Sequence, residues 1–336
     1  MNILMYSPVF YPSIGGIETV VATLAEGFSR RELDVKVVCQ TPATDPQTFP
    51  FEVIRQPSPQ QFLSLTRWCD LYFQAGLSLK GLWPISICPR PLVVTHQTWY
   101  RRLDGRLGWQ DRLKLWVSKQ ATNVAASRAI AQQLPAPATV IPNPYDETLF
   151  RLMPEVPRDR DLVFVGRWVS DKGVDLLIDA LYRLKCRGLT PNLTLIGFGP
   201  EEPQLRQHVQ GLGLSEQVDF AGLQFGQNLA RLLNTCRILV VPSRWHEPFG
   251  IVALEGIACG CVAVGSEGGG LPEAIGPCGV TFPNANLEAL TQILWDLLSH
   301  PAQLAAYRTE ARSHLKRHQT ATIVEQYLKN IEAAIR

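Results

Sequence analysis

Short apolar runs alternate with longer amphipathic segments along almost the whole chain, and this alternation limits the folds that the chain can adopt. In the first half, helical segments at about 17–30, 108–120 and 128–134 lie between some of the apolar runs. The predicted strands of this half are Asn2–Tyr6, Val35–Cys39, Asp70–Phe73, Leu92–Thr95, Asn123–Ala126 and Thr139–Ile141. Strands that are apolar throughout and joined by helices are typical of a parallel sheet with right-handed crossovers.

The same pattern begins again at Asp161. Predicted strands at 161–166, 193–197, 218–222, 237–241 and 261–265 alternate with predicted helices at 173–187, 201–212, 227–235 and 250–259, and three more helices follow at 286–299, 302–316 and 321–335. A proline-rich, weakly periodic segment, Asn143–Pro157, separates the two halves and is a typical linker. We therefore predict an α/β protein with two doubly wound domains, an N-terminal domain over 1–150 and a C-terminal domain over 151–320, with a last helix over 321–336.

Composition excludes several classes of protein. With 336 residues, of which 46% are hydrophobic and 18% charged, the chain is long enough for two domains with separate cores. The net charge of +2 gives no general attraction to nucleic acid, so we expect no nucleic-acid partner. The chain contains no run of 18 apolar residues and does not begin like a signal peptide, so we expect a cytoplasmic location.

Eight cysteines are scattered through the chain and no pair has C-x-x-C spacing. Most lie inside apolar runs, so we expect buried, reduced thiols. Cys259 and Cys261 have the spacing of half a metal site, but no second pair of Cys or His accompanies them. We therefore predict no structural zinc site.

The stretch from Ser243 to Glu255 carries the strongest chemical signal. A buried strand precedes it, so Glu247 is expected in a loop and Glu255 about two turns along the following helix. The amides of the residues that open this helix can hold an anion; they are those of Phe249, Gly250 and Ile251. Two carboxylates for hydroxyl groups beside an anion site suit a nucleoside diphosphate sugar.

This stretch resembles the E-x7-E signature of retaining glycosyltransferases of family 4, which have the GT-B architecture. The resemblance implies that Glu247 contacts hydroxyls of the donor sugar and that Glu255 binds the ribose of the nucleotide. It also implies two facing Rossmann-like domains, with acceptor binding assigned to the first and donor binding to the second, and a last helix that crosses back onto the first domain. The segment Ile141–Asp146 is similar to the family's interdomain I-P-N-G-V-D, although Pro144 and Tyr145 depart from it.

Two further glycine-containing loops resemble elements of the same family. Arg167 and Lys172 lie between Gly166 and Gly173, as in the element whose Arg and Lys neutralise the donor's phosphates. Gly15 and Gly16 precede Glu18 as in the family's G-G-x-E loop, which closes over the phosphates. Glu18 itself is expected to be a helix-start residue rather than a catalytic base.

Three other positions are assigned through the resemblance. His96 ends an apolar run, where the family carries a histidine that faces the donor sugar, so we expect it to contact a hydroxyl or phosphate group. Leu223 follows Gly222 in the loop that seats the nucleobase. Gly268–Glu273 resembles the family's G-G-L-P-E turn.

The resemblance implies transfer of a hexosyl group from a nucleoside diphosphate sugar to a hydroxyl of a glycan or lipid-linked acceptor, in envelope or exopolysaccharide synthesis. We expect Glu247, His96, Arg167 and Lys172 to act in catalysis, without a cofactor or metal. Family frequency favours UDP-glucose as donor, with GDP-mannose as the alternative. A nucleotide-sugar epimerase or phosphorylase of the same architecture and a non-catalytic carbohydrate-binding protein remain the rival functions.

The stretch from Trp99 to Lys119 combines six basic residues, two acidic residues and three tryptophans. Basic residues beside Trp and Leu suit the surface of an anionic bilayer, and peripheral attachment at the inner face of the plasma membrane is one interpretation. In the other, Leu113, Trp116 and Val117 pack into the core of the first domain and only the basic residues reach solvent. The sequence leaves both open.

Overall fold

A computed structural model describes residues 1–13, 15–42, 48–100 and 108–335. The chain forms two compact units, one of Met1–Pro144 with His318–Arg336 and the other of Tyr145–Arg317. The sequence placed the corresponding boundaries at 150 and 320.

The first unit is built on a parallel sheet of seven described strands. They are β1 (Asn2–Ser7), β2 (Asp34–Cys39), β3 (Glu52–Arg55), β4 (Leu71–Ala75), β5 (Leu92–His96), β6 (Thr122–Ala125) and β7 (Ala138–Val140). Their order across the sheet is β3-β2-β1-β4-β5-β6-β7. The direction of winding reverses between β1 and β4, and in doubly wound folds ligands bind beyond the carboxyl ends of the strands at such a point.

Six described helices belong to the first unit. They are α1 (Gly16–Ser29), α2 (Pro59–Trp68), α3 (Leu79–Ile87), α4 (Trp109–Ser118), α5 (Arg128–Ala131) and α14 (Thr320–Ile335). The last helix, α14, packs on α1 and β5. A Cβ atom on Gly27 of α1 would collide with the side chain of Val324, so a glycine is needed where the two helices touch.

The second unit is built on a parallel sheet of six strands. They are β8 (Arg160–Val165), β9 (Leu193–Ile196), β10 (Val218–Gly222), β11 (Cys236–Val241), β12 (Val262–Ser266) and β13 (Gly279–Phe282). Their order is β10-β9-β8-β11-β12-β13, so the winding reverses between β8 and β11. The loops that follow these two strands therefore lie at the ligand-binding edge of this sheet.

The helices of the second unit cover both faces of this sheet. They are α6 (Val174–Cys186), α7 (Glu202–Gly211), α8 (Gly226–Thr235), α9 (Ile251–Ala258), α10 (Leu271–Ile275), α11 (Leu287–Ser299), α12 (Pro301–Thr309) and α13 (Ala311–Lys316). Leucine, isoleucine and valine side chains of α6, α11 and the central strands form an apolar core on one face of the sheet. Its burial supplies the main stabilisation of the unit.

Several short elements were not predicted from the sequence, because the apolar pattern of each is weak. β3 has four residues and begins with exposed Glu52. α2 buries only Phe62 and Thr66, although Ser58 caps it by accepting a hydrogen bond from the Gln61 amide at 3.2 Å. α3 contains a proline, and α10 and β13 have five and four residues. The helix predicted over 302–316 is divided at Glu310 into α12 and α13.

The cysteine prediction is confirmed in most positions. All eight thiols are free, and all are buried except Cys88, which is half-buried, and Cys186, which is exposed. Within the described residues, no helix is both long and apolar enough to cross a bilayer.

Candidate functional site

Two loops flank the reversal point of the second sheet, and they bring Lys172 and Glu247 together. The loop Gly166–Gly173 follows β8, and the loop Pro242–Gly250 follows β11. The Lys172 Nζ atom lies 2.6 Å from Glu247 Oε1, although the residues are 75 positions apart. Both side chains are largely but not fully buried, with 21% and 12% of their surfaces exposed. A partly buried ion pair that still reaches solvent can exchange its partners for a ligand.

The geometry of Glu247 leaves one carboxylate oxygen available. Ser243 Oγ donates to Oε1 at 2.5 Å, so Oε1 accepts from both Ser243 and Lys172. Among the residues that the structure describes, Oε2 has no hydrogen-bond partner. A fixed carboxylate with one unoccupied oxygen can accept a hydrogen bond from a hydroxyl group.

The backbone of Glu247 is held by the glycine-rich turn after β12. The Gly270 amide donates to the Glu247 carbonyl at 2.7 Å. Gly269 has φ +82°, and a Cβ atom there would collide with the Glu247 carbonyl. Glycine is therefore required at this position for two reasons, the positive φ of its backbone and the close approach of the Glu247 carbonyl. The G-G-L-P-E motif therefore holds the backbone of Glu247 in place.

Glu255 lies in α9, eight residues after Glu247. It is half-buried. Desolvation raises its pKa from 4.5 to about 7, and the negative charge of Asp146 adds to the rise. Gly250, the residue before α9, has φ +104°, which turns the chain sharply from the Glu247 loop into the helix. The Ile251 and Val252 amides at the start of α9 have no partners within the helix, as is usual at a helix N-terminus, whereas the Ala253 amide donates to the Gly250 carbonyl at 3.0 Å.

The raised pKa predicts a pH dependence of stability. Between about pH 4.5 and 7 the folded protein binds more protons at Glu255 than the unfolded chain does, so the contribution of this residue falls as pH rises through that range. We expect Glu255→Gln to increase the free energy of unfolding at pH 8 by up to about 3 kcal/mol, and to have little effect at pH 4.5. Urea denaturation of both proteins at the two pH values measures this. An equal effect at both would contradict the assigned environment.

Three loops at the carboxyl edge of the sheet are joined through backbone hydrogen bonds around Trp168. The Trp168 amide donates to the Phe198 carbonyl at 2.8 Å, and the Gly197 amide donates to the Gly222 carbonyl at 2.9 Å. Trp168 is buried, whereas the neighbouring Arg167 is exposed, and its side chain has no partner among the described residues. Leu223, next to Gly222, is 45% exposed. Arg167 and Leu223 are therefore both accessible to a ligand at this edge.

The first unit places the predicted glycine loop after β1. Gly15 precedes α1 and Gly16 begins it, while Ile14 lies outside the described residues. Glu18 is buried, and Ser13 Oγ donates to its Oε1 atom at 2.8 Å. A Cβ atom on Gly15 would approach Glu18 Oε2 to 2.7 Å, so Gly15 leaves room for this carboxylate. Glu18 is thus held inside the first unit at the start of α1.

The structure does not support the prediction for His96. This side chain is fully buried in the first unit. Its Nε2 atom lies 2.9 Å from Asn123 Oδ1, and its Nδ1 atom lies 2.6 Å from the Tyr100 hydroxyl. Burial lowers the pKa of His96 to about 4, so the ring is neutral at pH 7. Both ring nitrogens are thus hydrogen-bonded inside the first unit, so this structure gives no support to the predicted contact of His96 with a hydroxyl or phosphate group.

Helix α4 presents an unusual surface in the first unit. Trp109, Leu113 and Trp116 are 72%, 40% and 57% exposed, whereas Leu115 and Val117 pack against the core. The alternative in which Leu113 and Trp116 pack inward is therefore wrong. Residues 101–107 of the basic stretch, which include Arg101, Arg102 and Arg106, lie outside the described residues.

Comparison with known proteins identifies the family. The family model described as glycosyl transferases group 1 matches residues 147–314, which is half of the chain. The chain belongs to this family. The fold class is confirmed as GT-B by solved glycosyltransferases, among them Anabaena HepE in complex with UDP and glucose, with a TM-score of 0.83, 21% identity, and coverage of 99% of this chain and 100% of HepE.

Curated relatives in the family differ in donor and acceptor. The chain is 30% identical to a GDP-mannose-dependent monoacylated α-(1-6)-phosphatidylinositol monomannoside mannosyltransferase of Corynebacterium glutamicum, over 49% of this chain and 45% of the relative. It is 26% identical to a glycogen synthase of Mycobacterium tuberculosis, over 94% of this chain and 90% of the relative. The match thus spans less than half the length of the first relative, while the second is matched almost throughout.

Sequence reasoning gave no role to Ser243, Arg244 or Asn284, which support the Glu247 loop. Asn284 Nδ2 donates to the Ser243 and Arg244 carbonyls at 3.3 Å, and its Oδ1 accepts from the Gly268 amide at 2.8 Å. Only Ser243, four residues before Glu247, lay close enough in sequence to suggest a contact. The Arg244 and Asn284 contacts join distant segments.

Proposed function

We propose that the protein is a retaining glycosyltransferase that moves a hexosyl group from a nucleoside diphosphate sugar to a hydroxyl of an acceptor. The observation that carries this proposal is the Lys172–Glu247 pair at the reversal point of the second sheet. An ammonium for the diphosphate and a fixed carboxylate oxygen for a sugar hydroxyl stand side by side there. Membership of the family and the helix that opens after Gly250 support the same function.

The proposed reaction proceeds on one face of the sugar. The bond between the anomeric carbon and the diphosphate oxygen breaks, and the acceptor oxygen forms its bond on the same face. The acceptor's proton passes to an oxygen of the leaving diphosphate, so no protein base and no metal are required. Arg167, Lys172 and the first amides of α9 would stabilise the negative charge that grows on the leaving group. Glu247 would orient the sugar, and Glu255 would bind the ribose.

One Asp-x-Asp sequence in the chain bears on the proposal that no metal is needed. Asp159 and Asp161 lie at the start of β8, whereas Arg167 follows the other end of that strand. Asp161 accepts from the amide and side chain of Asn192 at 3.1 Å and pairs with Arg237 at 3.2 Å. Asp161 is therefore occupied in joining strands at the opposite edge of the sheet from the proposed site, and Asp159 lies at that same edge.

For the donor we propose UDP-glucose first and GDP-mannose second. The likeness to HepE, solved with UDP and glucose, supports the first choice, and the mannosyltransferase relative supports the second. We expect UDP to raise the melting temperature of the protein more than GDP or ADP does, because a ligand at a hundred times its Kd adds about 2.7 kcal/mol to the stability of the form that binds it. Thermal denaturation with each nucleotide measures this. Strong stabilisation by GDP and none by UDP would contradict the first choice.

We propose a lipid-linked or glycan acceptor of envelope polysaccharide synthesis, met by the cytoplasmic protein at an anionic membrane surface. The exposed face of α4 supports this, because Arg112 and Lys119 lie on it together with Trp109, Leu113 and Trp116. Tryptophans beside basic residues are typical of helices that lie in the membrane interface. Such attachment is peripheral and reversible.

This surface predicts binding to anionic vesicles that depends on α4. Each basic residue near an anionic leaflet contributes about 1 kcal/mol, so replacing Arg112 and Lys119 with Ala is expected to weaken binding roughly thirtyfold. Replacing Trp109 and Trp116 with Ala should abolish it at physiological salt. Vesicle sedimentation measures both. Leu152→Ala removes a similarly exposed apolar side chain from the second unit and is the matched control. Unchanged binding in the double tryptophan variant would rule out α4 as the contact.

A further inference from the structure

We propose that Arg244 is a positioning residue, which fixes the Lys172 ammonium in place by clamping the Gly166–Gly173 loop to the loop that carries Glu247. The inference rests on the proposed function. Arg244 and its partner Asp175 contact neither the phosphate nor the sugar in the proposed function, and the inference gives them a role in holding Lys172.

The clamp consists of backbone bonds from Arg244 and Trp245 and a side-chain bond from Arg244. The amides of Arg244 and Trp245 both donate to the Asp171 carbonyl, at 2.9 and 3.1 Å. The Arg244 guanidinium donates to the Ser170 carbonyl at 2.9 Å. Two carbonyls of the short 3-10 turn Ser170–Lys172 are therefore bonded to the Glu247 loop. Lys172 ends that turn.

The guanidinium itself is fixed by Asp175 in the first turn of α6. Arg244 Nη1 lies 2.6 Å from Asp175 Oδ1, and Nη2 lies 2.8 Å from Oδ2. This arrangement uses the planar fork of arginine, and a lysine cannot reproduce two parallel bonds together with the bond to Ser170. Although burial alone would raise the pKa of Asp175, the hydrogen bonds and charge of Arg244 lower it. Both groups are thus ionised at neutral pH.

The backbone of Lys172 is constrained on both sides, so it has little freedom to move. Lys172 lies directly between Asp171, whose carbonyl is held by the clamp, and Gly173, which has φ +69°. A Cβ atom on Gly173 would collide with the Pro242 carbonyl, so the two loops are in close contact there as well. The Lys172 backbone is therefore fixed by the contact at Gly173 and by the clamp, in which the Arg244 side chain supplies the bond to the Ser170 carbonyl and the backbone amides supply the bonds to Asp171. A displacement of about 1 Å at a reacting group can cost about a hundredfold in rate.

The first test is Arg244→Lys, which keeps the positive charge and removes the fork. We expect the kcat for donor cleavage to fall about a hundredfold while KM for the donor changes much less. The melting temperature should stay close to that of the wild type. Arg183→Lys is the matched control, because Arg183 lies on α6 and pairs with Glu288 at 2.6 Å, on an exposed surface. It should leave kcat unchanged.

The second test needs no substrate and so does not depend on the proposed function. We expect acetic anhydride to modify Lys172 severalfold faster in Arg244→Lys and in Asp175→Asn than in the wild type, measured by mass spectrometry at fixed pH. Lys185, which donates to the Gly213 carbonyl at 2.7 Å, serves as the internal control and should not change. Asp175→Asn keeps the side-chain volume and provides a second route if Arg244→Lys folds poorly.

The outcomes separate the two ideas. Faster labelling of Lys172 alone, with no donor cleavage even by the wild type, would support the clamp and contradict the proposed function. Wild-type cleavage with unchanged kcat and unchanged labelling in both variants would overturn the clamp. Faster labelling of every lysine together with a lower melting temperature would show a general structural role and would also overturn it.

Discussion

Replacing Lys172 with alanine is expected to lower the kcat for donor cleavage at least a hundredfold. The ammonium lies 2.6 Å from Glu247 and belongs to a loop at the reversal point of the sheet, where the donor's diphosphate is proposed to bind. Negative charge grows on that diphosphate as the bond breaks, so the lysine contributes more to the transition state than to the ground state. Removing one such preorganised donor typically costs about 3 kcal/mol of barrier.

The stability of the Lys172→Ala variant should change much less than its rate. Both side chains are largely buried but still reach water, and Ser243 continues to bond Glu247, so losing the pair is expected to cost about 1 to 2 kcal/mol of unfolding free energy. Lys185→Ala is the control, because Lys185 lies in the last turn of α6, whereas Lys172 lies in the turn that precedes this helix. Steady-state kinetics with denaturation curves of the three proteins measure both effects. A kcat within a factor of three of the wild type would remove Lys172 from the proposed site.

Replacing Glu247 with glutamine should also lower kcat about a hundredfold, for a different reason. The glutamine keeps the shape of the side chain but removes the charge that holds Lys172, and it can place an NH2 group where Oε2 is proposed to accept from a sugar hydroxyl. Orientation of the sugar and position of the lysine are both disturbed. Because Ser243 and the Gly270 amide still hold the loop, the melting temperature should change little.

Glu267→Gln is the matched control for this second variant. Glu267 follows β12, in the loop next to the one that carries Glu247, and is exposed. It should cleave donor at the wild-type rate. If Glu247→Gln also did so, the proposed contact between Glu247 and the donor sugar would be wrong, whatever the result for Lys172.

The sheet architecture could be predicted because short apolar runs and glycines mark its strands and turns locally in the sequence. Runs such as Ile238–Val241 are apolar throughout, and the glycines after β8 and β11 mark the turns at the ligand-binding edge. The elements that were missed, such as β3 and α2, bury few side chains and depend on packing by the rest of the unit. Local propensity is weak in such elements, so tertiary contacts decide their structure.

The site was predictable only where its residues are close in sequence. Glu247, Gly250 and Glu255 fall in one stretch, so their spacing on a loop and helix could be anticipated. The Arg244–Asp175 pair joins residues 69 positions apart, and no local pattern marks it. His96 was assigned to the site because it ends an apolar strand, and the sequence did not show that Tyr100 and Asn123 bond both of its ring nitrogens.

Helix α4 shows why amphipathic patterns need a structure. Leu113, Leu115, Trp116 and Val117 are all apolar, and the sequence did not show which of them face the core. The helix packs through Leu115 and Val117, which leaves Leu113 and Trp116 in solvent. The structure was therefore needed to show that the face of α4 with Trp109 and Arg112 is exposed, so that its binding to vesicles can be tested.

Cleavage of the donor by the purified protein tests the central claim most directly, because it requires no knowledge of the acceptor. UDP-glucose and GDP-mannose are incubated with the protein, and proton NMR follows the released hexose before its anomers equilibrate. We expect release of the nucleoside diphosphate with the α-anomer of the sugar appearing first, and loss of this release in Lys172→Ala. No cleavage of either donor, or first appearance of the β-anomer, would contradict a retaining glycosyltransferase at this site.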